Sequence, residues 1–180
     1  MPKITPVFTD KEIPSYLKDT PFYELFSYHN LRKKNEVKYE KAKMLICMCM
    51  DNRKRLHIPE NFAYVLRTGG GNVNKLTFKV SFAISRGVQH IALIAHNNCG
   101  MVNLLSKRND FIDGLVKYGG IPKETAAVYF DQHASDFEIG DEVTFTVAEA
   151  KKIHNIYPKT MVVPLLYRLE DNKLYIIESE

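Results

Sequence analysis

Cys49-Met50-Asp51-Asn52-Arg53 and His96-Asn97-Asn98-Cys99-Gly100 are two short strings that place two thiols and an imidazole in one chain. Thiolate sulfur and imidazole nitrogen are ligands that a tetrahedral zinc ion prefers. Three protein ligands leave a fourth position for water, the pattern of a catalytic rather than a structural site. Asp51 and Arg53 share a string with the first ligand and add a carboxylate and a guanidinium able to control that fourth position. His-x-x-Cys alone says little, because a loop histidine is usually structural; the two strings together carry the signal.

Elements must close the sequence distance between the strings. Met44 to Met50 is a continuous apolar run, as expected of a parallel strand covered on both faces, and Ala63 to Leu66 and Ile91 to Ala95 read the same way. Between the last two, Asn74 can cap a helix whose Val80, Ala83, Ile84 and Gly87 lie on one face. Strand, helix, strand implies a parallel sheet with right-handed crossovers. Cys49 and His96 then sit at the carboxyl ends of neighbouring strands, the edge where open α/β sheets bind ligands. Cys99 is expected at the start of the next helix, where free amide N–H groups favour a thiolate.

The fold class is therefore α/β: a mostly parallel sheet with flanking helices, a closing C-terminal hairpin and an N-terminal helical arm. Residues 1–40 read as the arm and 41–180 as the α/β zinc-binding domain. In the arm, Thr20 and Pro21 suit an N-cap and first helical position, and Phe22, Leu25, Phe26 and His29 recur at helical spacing. That stripe needs a partner surface, either the main domain or a second subunit. Further helices are expected at Met101 to Lys107, Phe111 to Tyr118 and Lys123 to Ala134. Val143 to Ile153 has strand propensity over its first residues, yet Val143, Val147, Ala150 and Ile153 fall at helical spacing behind a possible Asp141 cap, which favours helix. Thr160 to Arg168 and Lys173 to Ile177, joined across Asp171-Asn172, read as the hairpin.

Composition excludes more than it selects. With 180 residues, 45% of them hydrophobic, the chain can bury one substantial core. Its net charge of +4 is too mild to demand a nucleic-acid partner. The basic stretch of Arg32, Lys33, Lys34, Lys38, Lys41 and Lys43 is interrupted by Glu36 and Glu40 and reads as a solvated connecting face. Three cysteines make no disulfide framework and suit a reducing compartment. Met1-Pro2-Lys3 leads into no signal core, and no apolar run reaches the roughly 18 residues of a membrane span, so a soluble, cytoplasmic protein is expected.

The two strings resemble the β-class carbonic anhydrases, whose Cys-x-Asp-x-Arg corresponds to Cys49, Asp51 and Arg53 and whose His-x-x-Cys-Gly corresponds to His96, Cys99 and Gly100. The similarity runs from about Met44 to Leu105 and includes Arg67-Thr68-Gly69-Gly70-Gly71-Asn72, which resembles the family's Arg-Asn-Ala-Gly turn. It fades in the final hairpin and is absent from the arm. The resemblance implies that Cys49, His96 and Cys99 hold zinc as cofactor, that Asp51 and Arg53 form a catalytic gating pair, and that the protein interconverts carbon dioxide and bicarbonate. It also implies assembly from homodimers. Thr68 and Gly69 stand in place of the usual Asn-Ala, and Ala95 where a glycine commonly precedes the histidine, changes that touch the walls of the site.

The chemistry of such a centre follows from its charge. Zinc with two thiolates and a neutral imidazole is nominally neutral and should acidify bound water less than an all-histidine site does. Arg53 can help by keeping Asp51 off the metal, and Asp51 can orient the resulting hydroxide toward carbon dioxide. Other residues have plainer readings. Cys47 reads as a buried small residue rather than half of a Cys-x-Cys metal pair. Gly69-Gly70-Gly71 lacks the Lys-Ser/Thr of a phosphate loop and reads as a tight turn beside the metal. His29, His57, His90, His133 and His154 read as surface or satisfied histidines, with no proton shuttle named, and Arg67 is balanced between a site role and a structural salt bridge. Two function classes remain: a zinc lyase hydrating carbon dioxide, with a variant acting on carbonyl sulfide or carbon disulfide, and a zinc-binding regulatory protein without turnover.

Overall fold

The structure is a computed structural model that describes residues 2–34, 37–74 and 77–178. In chain order the elements are β1 (Lys3–Pro6), α1 (Ser15–Lys18), α2 (Pro21–His29), β2 (Met44–Cys49), β3 (Ala63–Thr68), α3 (Thr77–Ser85), β4 (His90–His96), α4 (Arg108–Gly119), α5 (Lys123–His133), α6 (Glu142–Ile156), β5 (Met161–Arg168) and β6 (Lys173–Glu178). The strands form one sheet in the order β1-β6-β5-β4-β2-β3. β3, β2, β4 and β5 are parallel, whereas β6 and β1 are antiparallel additions at one side.

β2 has no polar residue, because both of its faces are covered. Met44, Ile46 and Met48 pack on one side with Ala92, Ile94, Leu165 and the α2 residues Phe22, Leu25 and Phe26. Leu45 and Cys47 pack on the other with Val80 and Ala83 of α3 and Ala150 and Ile153 of α6. The period of two along each strand sends alternate side chains to these two layers. α6 is a helix, as its spacing predicts. The Asp141 carboxylate accepts a bond from the Thr144 N–H at 2.7 Å, and the apolar face of the helix gains burial that outweighs the strand propensity of its first residues.

The N-terminal stripe finds its partner within its own chain. Thr20 caps α2 by accepting from Phe22 N–H at 3.2 Å, and Phe22, Leu25, Phe26 and His29 are buried. Residues 3–6 also add a strand that the sequence reading did not foresee, with Ile4 opposite Ile177 of β6. Asn30, almost wholly buried, ties these parts together: its amide donates to the carbonyls of Val7 and Leu174 at 2.8 and 2.7 Å, and its Oδ1 accepts from Leu174 N–H at 2.9 Å. The cations Arg32, Lys33, Lys34, Lys38, Lys41 and Lys43 are exposed, as expected of a connecting face; Glu36 lies outside the described residues.

Two expectations are corrected. β3 is covered on neither face as β2 is. It forms the sheet edge, and Tyr64 and Val65 are 39% and 41% exposed, so its apolar run reflects something other than central burial. Met101 to Lys107 is not an α-helix either, and only Leu104–Lys107 forms a short 3₁₀ turn. Asn103 adopts a left-handed conformation (φ 52°), and Val102 makes a bridge to Ile139, geometries that an α-helix cannot accommodate. Cys99 therefore sits in a loop, not at a helix N-terminus.

Candidate metal centre

β2 and β4 are adjacent and parallel, with Leu45 opposite Ile91 and Met48 opposite Ile94, so Cys49 and His96 emerge at the same edge of the sheet. The loop after β4 then returns Cys99 to them. One ligand atom from each of Cys49, His96 and Cys99 lies within 4.8 Å of the others, and all three residues are buried. The sulfurs are 3.9 Å apart. Two Zn–S bonds of about 2.3 Å at a tetrahedral angle would set sulfurs about 3.8 Å apart, so the pair is already spaced for a zinc ion.

The imidazole is presented in the tautomer a metal needs. His96 Nδ1 lies 2.9 Å from the carbonyl oxygen of Asn97, which can only accept, so Nδ1 carries the proton and Nε2 keeps its lone pair. Nε2 is buried with no hydrogen-bond partner among the described residues. A buried polar atom without a partner costs free energy, and a metal ion at the cluster would satisfy it. The two thiols act on each other: the Cys99 thiol is the main influence lowering the Cys49 pKa, and Cys49 is the main influence raising that of Cys99, so the pair shares one proton. Cys47, two residues earlier on the same face of β2, lies deeper in the core beside Leu45, Val80 and Leu93; burial pushes its thiol up to about 12, and it is not among the clustered ligand atoms.

Asp51 lies just outside the cluster, with Oδ2 at 4.0 Å from His96 Nε2. Arg53 holds that carboxylate through Nη2 to Oδ2 at 2.6 Å and Nε to Oδ2 at 3.0 Å, and its own backbone N–H bonds Oδ1 at 2.9 Å. These bonds keep the Asp51 carboxyl well below the usual carboxylate range. The same Nη2 donates to the carbonyl of Asn98 at 2.9 Å, so Arg53 also links the two sequence strings. Arg67 forms no salt bridge among the described residues. Its guanidinium instead donates to the carbonyls of Cys49 and Lys54 at 3.2 and 3.3 Å and clasps the loop from β3.

The glycine turn is built as the sequence implies. Gly70 has φ 64°, and a Cβ there would meet Ile139 at 3.2 Å and Met101 at 3.3 Å, so both conformation and space require glycine. At Gly69 a Cβ would lie 3.1 Å from Met101 Cε, which shows that the Met101 side chain occupies the space of the absent methyl. Ala95 is no wall of the cluster: it packs with Val147, Leu166, Tyr175 and Ile177 in the core. Met101, Val102, Ile139 and Phe145 pack against Cys49 and Cys99 with apolar surface. Among the remaining histidines, His29 is buried, with its pKa lowered to about 4 chiefly by desolvation, and His57 stacks on it.

One residue of the site was missed. Lys54, directly after Arg53, is 0% exposed, with Nζ bonded to the Asp51 carbonyl at 3.2 Å. A lysine in an exposed-looking Arg53-Lys54-Arg55 run carries no sequence signal of burial.

The sheet order, the crossovers and the ligand edge define the fold of the β-carbonic anhydrases. The structure matches a β-carbonic anhydrase of Trichomonas vaginalis with a TM-score of 0.65 at 18% identity, over 93% of this chain and 100% of that one. It matches a carbonic anhydrase of Glaciozyma antarctica with a TM-score of 0.61 at 23% identity, over 89% and 98% of the respective chains. A carbon disulfide hydrolase aligns with a TM-score of 0.54 at 18% identity, over 92% and 90%. No protein-family model matches the chain, and no curated protein does. At these identities the likeness is one of fold.

Proposed function

We propose that this protein is a zinc-dependent carbonic anhydrase that interconverts carbon dioxide and bicarbonate. The observation that carries the reading is the buried Cys49–His96–Cys99 cluster, spaced for a tetrahedral ion, with the Arg53-held Asp51 carboxylate beside it. A zinc ion held by Cys49, His96 and Cys99 would supply a Lewis acid that makes water more nucleophilic. The remaining work falls to the chain. Asp51 accepts a hydrogen bond from the attacking water and orients it, and Arg53 keeps Asp51 in that task by occupying both carboxylate oxygens. The apolar surface of Met101, Val102, Ile139 and Phe145 suits a small neutral substrate such as carbon dioxide.

Stopped-flow carbon dioxide hydration on metal-quantified protein tests the reading. The zinc-loaded protein should hydrate carbon dioxide well above the buffer rate and lose that activity on chelation. Buffer-rate hydration at full zinc occupancy would leave a zinc-binding regulatory role. The carbon disulfide hydrolase of the same fold motivates a second reading, in which the same centre hydrolyses carbon disulfide or carbonyl sulfide, and hydrogen sulfide release distinguishes it.

A homodimer is part of the proposal, on grounds other than the α2 stripe, which is buried within the chain. β3 is an edge strand with Tyr64 and Val65 exposed, and the following α3 exposes Phe78 and Phe82 at 82% and 55%. An open edge with large apolar side chains is a surface that soluble proteins usually cover. Sedimentation at micromolar concentration should show a dimer, and Phe78→Ser with Phe82→Ser should shift it toward monomer by at least about tenfold in Kd, given what apolar anchors contribute. A wild-type monomer would remove the dimer from the proposal. Three buried, unpaired cysteines fit the cytoplasm, and among the described residues no helix is long and apolar enough to cross a membrane.

A further inference from the structure

The turn that carries His96 and Cys99 is tied to the neighbouring strand by a side chain that ligand chemistry does not explain. Asn97 Oδ1 accepts from the Leu169 N–H at 2.9 Å, and Asn97 Nδ2 donates to Glu170 Oε1. Glu170 sets the amide the right way round, because a carboxylate only accepts and so faces Nδ2. His96 and Tyr167 form the last pair of the parallel β4–β5 ladder. Extending that register would set residue 97 against residue 168 and direct the main-chain carbonyl of Asn97 to the Leu169 N–H. The side chain takes that bond instead, and the carbonyl lies 2.9 Å from His96 Nδ1. Two needs are met at once. The Leu169 N–H requires an acceptor, which the Asn97 amide supplies, and the imidazole requires an acceptor on Nδ1 if Nε2 is to keep its lone pair, which the Asn97 carbonyl supplies. The next carbonyl, of Asn98, is held by Arg53, so the turn between the two ligands is anchored at each residue.

We propose that Asn97 is a positioning residue for the metal centre: its side-chain amide, latched to the β5–β6 turn, frees the main-chain carbonyl that takes the His96 Nδ1 proton and so presents the Nε2 lone pair to the ion. The inference rests on reading His96 as a metal ligand and goes beyond it to what orients the ring. Asn97 contributes no ligand atom to the cluster and acts through its own peptide. Partners that fix a ligating imidazole govern metal affinity by about 10–100-fold. No local pattern announces the role, since the latch exists only once β5 lies beside β4.

The test reads the ring and the metal separately. In the metal-free protein, at a pH where imidazole is neutral, nitrogen NMR should show His96 as the Nδ1–H tautomer, and a ring protonated on Nε2 would overturn the proposal outright. In Asn97→Ala the two tautomers should mix, and the Kd for zinc, from competition with a chelator, should rise at least about tenfold. Thermal unfolding of the metal-free forms controls for folding. A lowered Tm with wild-type tautomer and zinc affinity would make Asn97 a structural residue only and overturn the role. Asn97→Asp combined with Glu170→Gln restores the latch with donor and acceptor exchanged, and should return the tautomer and bring the Kd within about threefold of wild type. A folded double variant that behaves as Asn97→Ala overturns the proposal as well. Should Asn97→Ala fail to fold, Glu170→Ala, which breaks only the exposed half of the latch, decides. A mixed tautomer with a Kd raised at least about threefold supports the role, and wild-type values in both overturn it. The tautomer is read without metal, so its outcome is separable from that of the proposed activity. Zinc-loaded protein that shows the Asn97 dependence but does not hydrate carbon dioxide supports the inference while removing the carbonic anhydrase reading.

Discussion

Zinc-loaded Arg53→Ala is expected to keep its metal and to lose carbon dioxide hydration by about 10²-fold or more, the scale seen when preorganised charge is removed from a site. Arg53 bonds both oxygens of Asp51 and also ties that string to the Asn98 carbonyl. Without it, the carboxylate 4.0 Å from His96 Nε2 is released next to a cation that attracts it. Asp51 should then take the open metal position. With cobalt in place of zinc, Arg53→Ala should give a carboxylate-bound spectrum insensitive to pH. Asp51→Ala removes the competing ligand but also the group that orients water, so it should hydrate poorly with a spectrum that still titrates. Wild-type rates in Arg53→Ala across the pH range would reduce the pair to an ordinary salt bridge.

Cys99→Ala should lower zinc affinity by at least about 10³-fold, since binding energies of roughly 10–16 kcal/mol in thiolate sites are shared among few ligands. The loss falls on metal binding and not on folding, because Cys99 lies in a loop whose backbone is held by other groups. Lys107 Nζ bonds the carbonyls of Gly100 and Val102 at 2.8 Å, and Arg53 bonds that of Asn98. Dialysis against a mild chelator followed by metal analysis reads the effect, with thermal unfolding of the metal-free forms as the control. Full zinc occupancy in Cys99→Ala would remove Cys99 from the ligand set. Cys47→Ala, deeper in the core and outside the cluster, should leave occupancy unchanged.

The sequence by itself determined what depends on local pattern. Met44 to Cys49 and Ile91 to Ala95 hold no polar residue, a pattern that suits strands of a parallel sheet; once they are parallel neighbours, Cys49 and His96 must share an edge. Asp141 and the spacing of Val147, Ala150 and Ile153 likewise set α6, because a cap and a helical stripe are local properties. The residue types of the cluster were legible for the same reason, as ligand chemistry belongs to the side chain and not to its surroundings.

Tertiary structure decided what depends on a surface distant in sequence. Whether Phe22, Leu25 and Phe26 meet the sheet or another subunit turns on the space left beside β2, β4 and β5, and they fill it within their own chain. Lys3–Pro6 has too little pattern to announce a strand, and it becomes one by pairing with β6 at the far end of the sequence. The same apolar character in Ala63 to Leu66 does not distinguish a central strand from an edge, which only the strand order settles. Met101 to Lys107 has helical composition, but the bridge from Val102 to Ile139 and the left-handed Asn103 override it and leave Cys99 in a loop. Lys54 is the sharpest case. Lysine in a charged run belongs in water by every local rule, and it is buried because the loop after β2 folds back and brings its ammonium to the Asp51 carbonyl, an arrangement that no local pattern announces.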